Sequence, residues 1–265
     1  MNLIYAVILG AVQGVAEFLP ISSSGHLVIA GELLTSLSGR GLPEWLQGMT
    51  MNVALHFGTL LSIATIYFRD LLGLLKQVRL LLLIVLSSVP AGFVGLLFKD
   101  QLEALFQNAL AAGICLLGTA AILMTARRMR GVGRGLSELS PAAALTIGLF
   151  QAVAILPGIS RAGSTVGAGL MCGLRPEDAA RYSFFLAVPA IGGASLLELL
   201  KLLRQGDSTA PEFLPMLVGM VVSYVVGVFS LRSLIRLLAA DRLHWFAWYC
   251  STVGVLTIAW QLWAV

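Results

Sequence analysis

Charge is scarce in this chain. Only 11% of its 265 residues are Asp, Glu, Lys or Arg, 58% are apolar, and the mean hydropathy is +0.92. A soluble domain carries about 25% charged residues, so the composition excludes one and describes an all-α polytopic membrane protein. Long polar segments are missing too. The longest interruptions, Arg127–Ser140 and Arg204–Pro211, are too short for a soluble domain, so residues 1–265 read as one membrane domain. The opening MNLIYAVILG has no Lys or Arg before its apolar run; it lacks the basic start of a secretory signal and is expected to stay in the protein. Cys115, Cys172 and Cys250 lie in apolar segments without metal-ligand spacing, which argues for packing or lipid-facing roles over disulfides or ligation. The net charge of +4 calls for no nucleic acid, because loop asymmetry accounts for it.

Six apolar stretches are long enough to span a bilayer, which takes about 20 residues: Met49–Phe68, Leu80–Phe98, Ala109–Ala126, Tyr182–Leu203, Leu214–Leu237 and Trp245–Val265. Two others, Leu3–Leu34 and Ala142–Leu174, are longer and are broken at Pro20–Gly25 and Pro157–Gly163. Proline ends a helix by removing a donor and crowding the preceding turn. Each stretch therefore predicts a re-entrant helical hairpin, whose polar bend is tolerated at membrane depth only inside protein or beside a wet cavity. The hairpins are related. At an offset of 138, ten positions between residues 10 and 31 are identical to their mates, among them Gly10/Gly148, Gln13/Gln151, Ala16/Ala154, Ser22/Ser160, Gly25/Gly163 and Gly31/Gly169. Halves of about 1–134 and 135–265 follow, each a hairpin plus three spans. Three crossings are odd, so the second half is inverted, and inverted repeats with broken helices place a site near the midplane.

Lys and Arg divide by side in this topology. Arg69, Lys76, Arg79, Arg127, Arg128, Arg130, Arg134, Arg175, Arg181, Arg232, Arg236 and Arg242 share one face; Arg40, Lys99, Lys201 and Arg204 share the other. The basic face is expected to be cytoplasmic, with both termini and the mouth of the first hairpin outside. Arg161 fits neither set. It lies in the second bend, LPGISRAGST, as Glu17 lies just before the first, FLPISSSGHL. A charge at this depth is costly, about 2.5–3.5 kcal/mol on insertion scales, and marks function or pairing. A plain Glu17–Arg161 ion pair would pin the repeats, but would not explain the hydroxyls around it.

Gly158, Ser160, Gly163, Ser164 and Thr165 surround Arg161 just before a helical run. Glycines and free amides at a helix start attract phosphate, and Arg adds a fork matched to its oxygens; close helix packing by small residues is the alternative. In the first bend Ser22, Ser23 and Ser24 are candidate nucleophiles or phosphate donors, with His26 and Glu17 as bases. Gln13, one turn before Glu17, either binds a ligand, orients Glu17 or bonds between helices, the role expected of its mate Gln151. Asn52 and His56 share a helix face and line the cavity or pack. Glu198 with Lys201 reads as an interfacial pair, His244 beside Trp245 and Trp248 as an anchor, and Arg127–Arg134 as a topology signal that also suits anionic lipid.

Gln13-x-x-x-Glu17 with FLPISSSGH resembles the (E/Q)xxxE and PxSSxGH region of the undecaprenyl-diphosphate phosphatase family, the bacitracin-resistance proteins. PGISRAGST at 157–165 resembles that family's PGxSRSxxT motif, and GLRPEDAARYSFFLAVPA extends the likeness. The resemblance implies a phosphatase of the bacterial cytoplasmic (inner) membrane that hydrolyses C55 polyprenyl diphosphate to the monophosphate and phosphate, recycling the cell-wall lipid carrier. It implies a divalent cation, Mg2+ or Ca2+, and functional positions at Glu17, Ser23, His26, Ser160, Arg161 and Thr165. Gln13, where many members have Glu, would be a weaker cation ligand, and Ala162 argues against an essential hydroxyl there. In the mechanism expected, Arg161 and the 158–163 amides hold the terminal phosphate. Ser23 attacks while Glu17, alone or through a cation or His26, takes its proton; His26 and water are the rival nucleophiles. The partners expected are the lipid diphosphate and membrane lipids, with homodimerisation open. A lipid-phosphate flippase is the competing function.

Overall fold

The computed structural model describes residues 2–38, 49–106, 108–129, 131, 133–205 and 213–263. Arg40 and Arg130 lie outside them, as do the side chains of Lys99, Glu198, Lys201 and Arg204. The first broken stretch forms α1 (Asn2–Ala16) and α2 (Ser23–Ser38), the second α8 (Pro141–Val153) and α9 (Arg161–Met171). Between them run α3 (Met49–Ile66), α4 (Phe68–Leu74), α5 (Val78–Leu97), α6 (Lys99–Leu105) and α7 (Ala109–Arg128). After them come α10 (Pro176–Gln205), α11 (Phe213–Ala239) and α12 (Leu243–Trp263).

Among the described residues α5, α7, α11 and the Pro176–Leu197 part of α10 are long and apolar enough to cross a membrane. Of the six expected spans, two differ. Met49–Phe68 is not one straight helix: the chain bends 83° between Ile66 and Phe68, which separates α3 from α4. The helix α12 has 21 residues, but its Trp, Tyr, His and Thr content makes it less apolar than those four.

The helices pack as a two-fold arrangement. The arm α1 lies along α11 and its mate α8 lies along α5, the mate of α11; α7 packs on α12, and these two are mates of each other. Paired glycines explain both arm contacts. A Cβ on Gly10 would sit 2.6 Å from the Gly219 carbonyl oxygen, and one on Gly148 would collide with the Ser87 carbonyl. Membrane helices approach this closely only where a side chain is absent. Gly148→Val is therefore expected to cost about 1–3 kcal/mol by overpacking, read as a lower thermal midpoint in detergent, whereas a valine at Gly92, which has open space, leaves the midpoint near wild type.

Polar groups inside the bundle are tied to backbone. The buried Tyr182 hydroxyl donates to the Leu83 carbonyl at 2.9 Å and lies 2.6 Å from Ser87 Oγ, which reaches the Ala144 carbonyl at 2.7 Å. One knot thus joins α5, α8 and α10. Phe18, fully buried, meets Phe184 edge to face at 5.7 Å, and Tyr67 stacks on Phe184 at 5.9 Å. These rings seat the first bend against α10, with Glu17 immediately before it.

Candidate active site

Both bends end three residues earlier than proline and glycine spacing predicts, because a serine caps each following helix. Ser160 Oγ accepts from the Gly163 amide at 3.0 Å, and its mate Ser22 Oγ accepts from the Gly25 amide at 3.3 Å. This is N-capping, which satisfies an amide the helix leaves orphaned. Ser23, Ser24, Gly25 and His26 therefore stand in the first turns of α2, as Arg161 and Ala162 begin α9. The bends touch reciprocally. A Cβ on Gly25 would lie 2.8 Å from Gly158 Cα, and one on Gly163 would lie 3.2 Å from Pro20 Cβ. Pro20 and Gly158 are themselves mates at the offset of 138. Gly158 also has φ +100°, a conformation that side chains resist. The starts of two helices, each carrying partial positive charge, are thereby brought together.

Glu17 is the hub. Its Oε1 accepts from Arg161 Nη2 at 2.6 Å, and its Oε2 accepts from Ser23 Oγ at 2.7 Å and Gln13 Nε2 at 3.1 Å. His56 Nε2 lies 3.9 Å from Oε2. The carboxylate side chain is 6% exposed and the arginine 15%. The ion pair expected as the bland reading exists, yet it carries a serine hydroxyl aligned on the same carboxylate. That is the arrangement in which a base takes a nucleophile's proton.

Arg161 is held from behind. Its Nη1 donates to the Ser183 carbonyl at 3.4 Å. Ser183 Oγ lies 2.6 Å from Thr165 Oγ1, which donates to the Arg161 carbonyl at 2.8 Å. Thr165 is thus a brace for Arg161, buried at 1% exposure. Glu17 and Ser183 use two of the five guanidinium donors, so the fork retains donors for a phosphate.

Other expected site residues are placed differently. The amide cradle at 158–163 is not open: the Ser160 amide donates to Thr119 Oγ1 at 2.9 Å, and the Gly163 amide is taken by its cap. Thr119 Oγ1 in turn donates to the Gly158 carbonyl at 2.8 Å. Ser22, Ser160, Gly158 and Gly163 therefore build the bends, and the amides that helix geometry leaves over are those of Arg161 and Ala162. Ser24 Oγ lies 3.3 Å from Ser22 Oγ. Ser164 Oγ, at the mate position of His26, is buried without a partner. His26 does not bond Ser23 or Glu17: Nδ1 is 2.8 Å from the Ser22 carbonyl and Nε2 is 2.8 Å from the Tyr249 hydroxyl. Thr119, Ser183 and Tyr249 went unassigned in the sequence; for Thr119 the signal was its identity with its mate Thr257. Thr119→Val should cost about 1–3 kcal/mol, the penalty of leaving buried backbone groups unpaired. Denaturation in detergent reads it, and activity should fall with it.

For a divalent cation, the described residues show no group of three or more His, Cys, Asp and Glu. They do show Gln13 Oε1, fully buried beside Glu17 and without a hydrogen-bond partner. One carboxylate plus one carbonyl oxygen suits a Mg2+-type ion that takes its remaining ligands from water and substrate phosphate.

The model of the family described as bacitracin resistance protein BacA matches residues 6–256. The chain belongs to that family. It is similar to the undecaprenyl-diphosphatase of Rhodopirellula baltica, at 41% identity with 97% of each chain covered. It is also similar to the proteins so named from Pelobacter propionicus, 40% identical with 96% and 95% covered, and Methanosphaera stadtmanae, 36% identical with 97% and 98% covered. Family membership over this length places both bends, with Glu17, Ser23 and Arg161, inside the matched region.

Proposed function

We propose that the chain, acting as one membrane unit, hydrolyses undecaprenyl diphosphate to undecaprenyl phosphate and inorganic phosphate. The observation that carries this is the double engagement of Glu17, by Arg161 at 2.6 Å and Ser23 at 2.7 Å, where two helix starts meet. The names of the full-length relatives support the substrate.

The terminal phosphate takes the guanidinium donors that Glu17 and Ser183 leave free on Arg161 and sits against the first amides of α9. Ser23 Oγ attacks its phosphorus as Glu17 Oε2 accepts the hydroxyl proton. A serine-to-phosphorus bond forms, the bridging P–O bond breaks, and the lipid monophosphate leaves. Glu17 gives that proton up to the departing monophosphate. Water then attacks the phosphoserine, its proton passing to the freed carboxylate and on to Ser23 Oγ as the serine-to-phosphorus bond breaks, so that inorganic phosphate and free Ser23 are restored. Arg161 opposes the negative charge spread over the transferring group, where preorganised donors count most. Glu17 and Gln13 Oε1 would hold a Mg2+ or Ca2+ ion, which supplies charge neutralisation at the phosphate oxygens when bound.

The twelve-to-four division of basic residues supports a cytoplasmic-membrane topology with both termini and the site's mouth on the outer side. The two-fold packing of broken helices favours lipid-phosphate transport as a second reading, since that architecture is common in transporters. Purified protein in detergent separates them, because detergent abolishes sidedness. Phosphate release from C55 diphosphate is expected; lipid binding without release would favour transport.

A further inference from the structure

One grip on the first bend comes from the last helix, and the reaction as described does not use it. Ser22 is one of two described non-glycine residues with positive φ, at +73°. That conformation persists only where surroundings over-determine it. Its carbonyl, which leads directly into Ser23, accepts from the His26 amide at 3.2 Å and stands 2.8 Å from His26 Nδ1. A carbonyl only accepts, so Nδ1 carries the proton. In the neutral ring Nε2 is then an acceptor, and the Tyr249 hydroxyl 2.8 Å away donates to it. The two rings lie 12° from parallel with centroids 5.6 Å apart. Both His26 nitrogens are engaged, and neither engages Ser23 or Glu17. The neighbouring Cys250 Sγ reaches the Pro20 carbonyl at 3.6 Å, so α12 holds the bend at two successive residues.

We infer that Tyr249 is a positioning residue: through His26 it fixes the Ser22 peptide and so aims Ser23 Oγ at Glu17. On this arrangement His26 acts through the backbone and forms no bond to phosphorus. The inference rests on the phosphatase reading with Ser23 as nucleophile.

The test compares H26A, H26N and Y249F with wild type and E17Q, all as full-length protein in detergent. Release of phosphate from C55 diphosphate gives kcat and KM, and thermal unfolding checks the fold. Asparagine offers an N–H to the Ser22 carbonyl but neither a nucleophile nor a base. H26N is expected to retain at least about tenfold more kcat than H26A, the factor one hydrogen bond of ordinary net strength carries. Y249F is expected to lower kcat about tenfold with KM changed less than about twofold. In 15N-histidine spectra wild type should show a protonated Nδ1 and an unprotonated Nε2, and Y249F should move the Nε2 signal. The inference is overturned if H26N is as inactive as H26A, if Y249F keeps wild-type kcat, if His26 takes up phosphate label, or if Nε2 carries the proton. Failure of the phosphatase reading looks different: wild type releases no phosphate, or E17Q matches it, whatever the spectra show.

Discussion

Arg161→Ala should lower kcat/KM for phosphate release by about 10³–10⁵-fold, the range an arginine contributes when it opposes charge in a phosphoryl-transfer transition state. Loss of charge alone does not describe the change. Arg161 reaches Glu17 with Nη2 and the Ser183 carbonyl with Nη1, so one planar fork bridges both hairpins' surroundings. Arg161→Lys keeps the charge but presents a single ammonium on a flexible stem, and it should recover only a small part of the activity. Removing the arginine also leaves Glu17 at 6% exposure without its cation. Breaking a buried pair costs about 3–5 kcal/mol, so the variant's thermal midpoint should fall as well. Steady-state kinetics at saturating and limiting lipid, with the midpoint measured alongside, checks both effects.

Ser23→Ala is the second large effect. With the hydroxyl gone, no phosphoserine forms, and kcat should fall by about 10³-fold or more, leaving the residual rate that binding and charge stabilisation support. Rapid acid quench with terminally labelled diphosphate, followed by peptide mapping, should find label on Ser23 in wild type and none in the variant. Ser24→Ala provides the contrast. Its Oγ meets only Ser22 Oγ, at 3.3 Å, among the described contacts, so kcat should stay within about threefold of wild type, as surface-like hydrogen-bond losses do.

Much of this site was legible before any coordinates. Hydropathy located the long helices, proline and glycine marked both breaks, and the offset of 138 tied the breaks together. Two intramembrane charges, Glu17 and Arg161, named the partners because such charges are expensive when idle. What stayed hidden has physical reasons. Three consecutive serines each have the chemistry of a cap, and only the +73° φ of Ser22 and its bond to the Gly25 amide decide which one serves. Thr119 and Ser183 look like any hydroxyl in an apolar helix. Most such hydroxyls bond back to the preceding turn, as those of Thr35, Ser88 and Ser233 do, whereas Thr119 reaches across to the second bend and Ser183 to another helix. The bend between α3 and α4 escaped detection because no proline or glycine marks it; Tyr67 stands there. Sequence proximity to the serines says nothing about which way an imidazole turns on a helix, and that of His26 turns to the Ser22 carbonyl and Tyr249.

The central claim is that two hairpins from opposite repeats make one phosphatase site. A double-mutant cycle across Glu17 and Arg161 tests it most directly, using E17A, R161A and the double variant with phosphate release as the readout. Residues that act as a unit are strongly non-additive. The double variant should be no slower than the slower single variant, within about threefold. Losses that multiply would show two independent sites and contradict the claim.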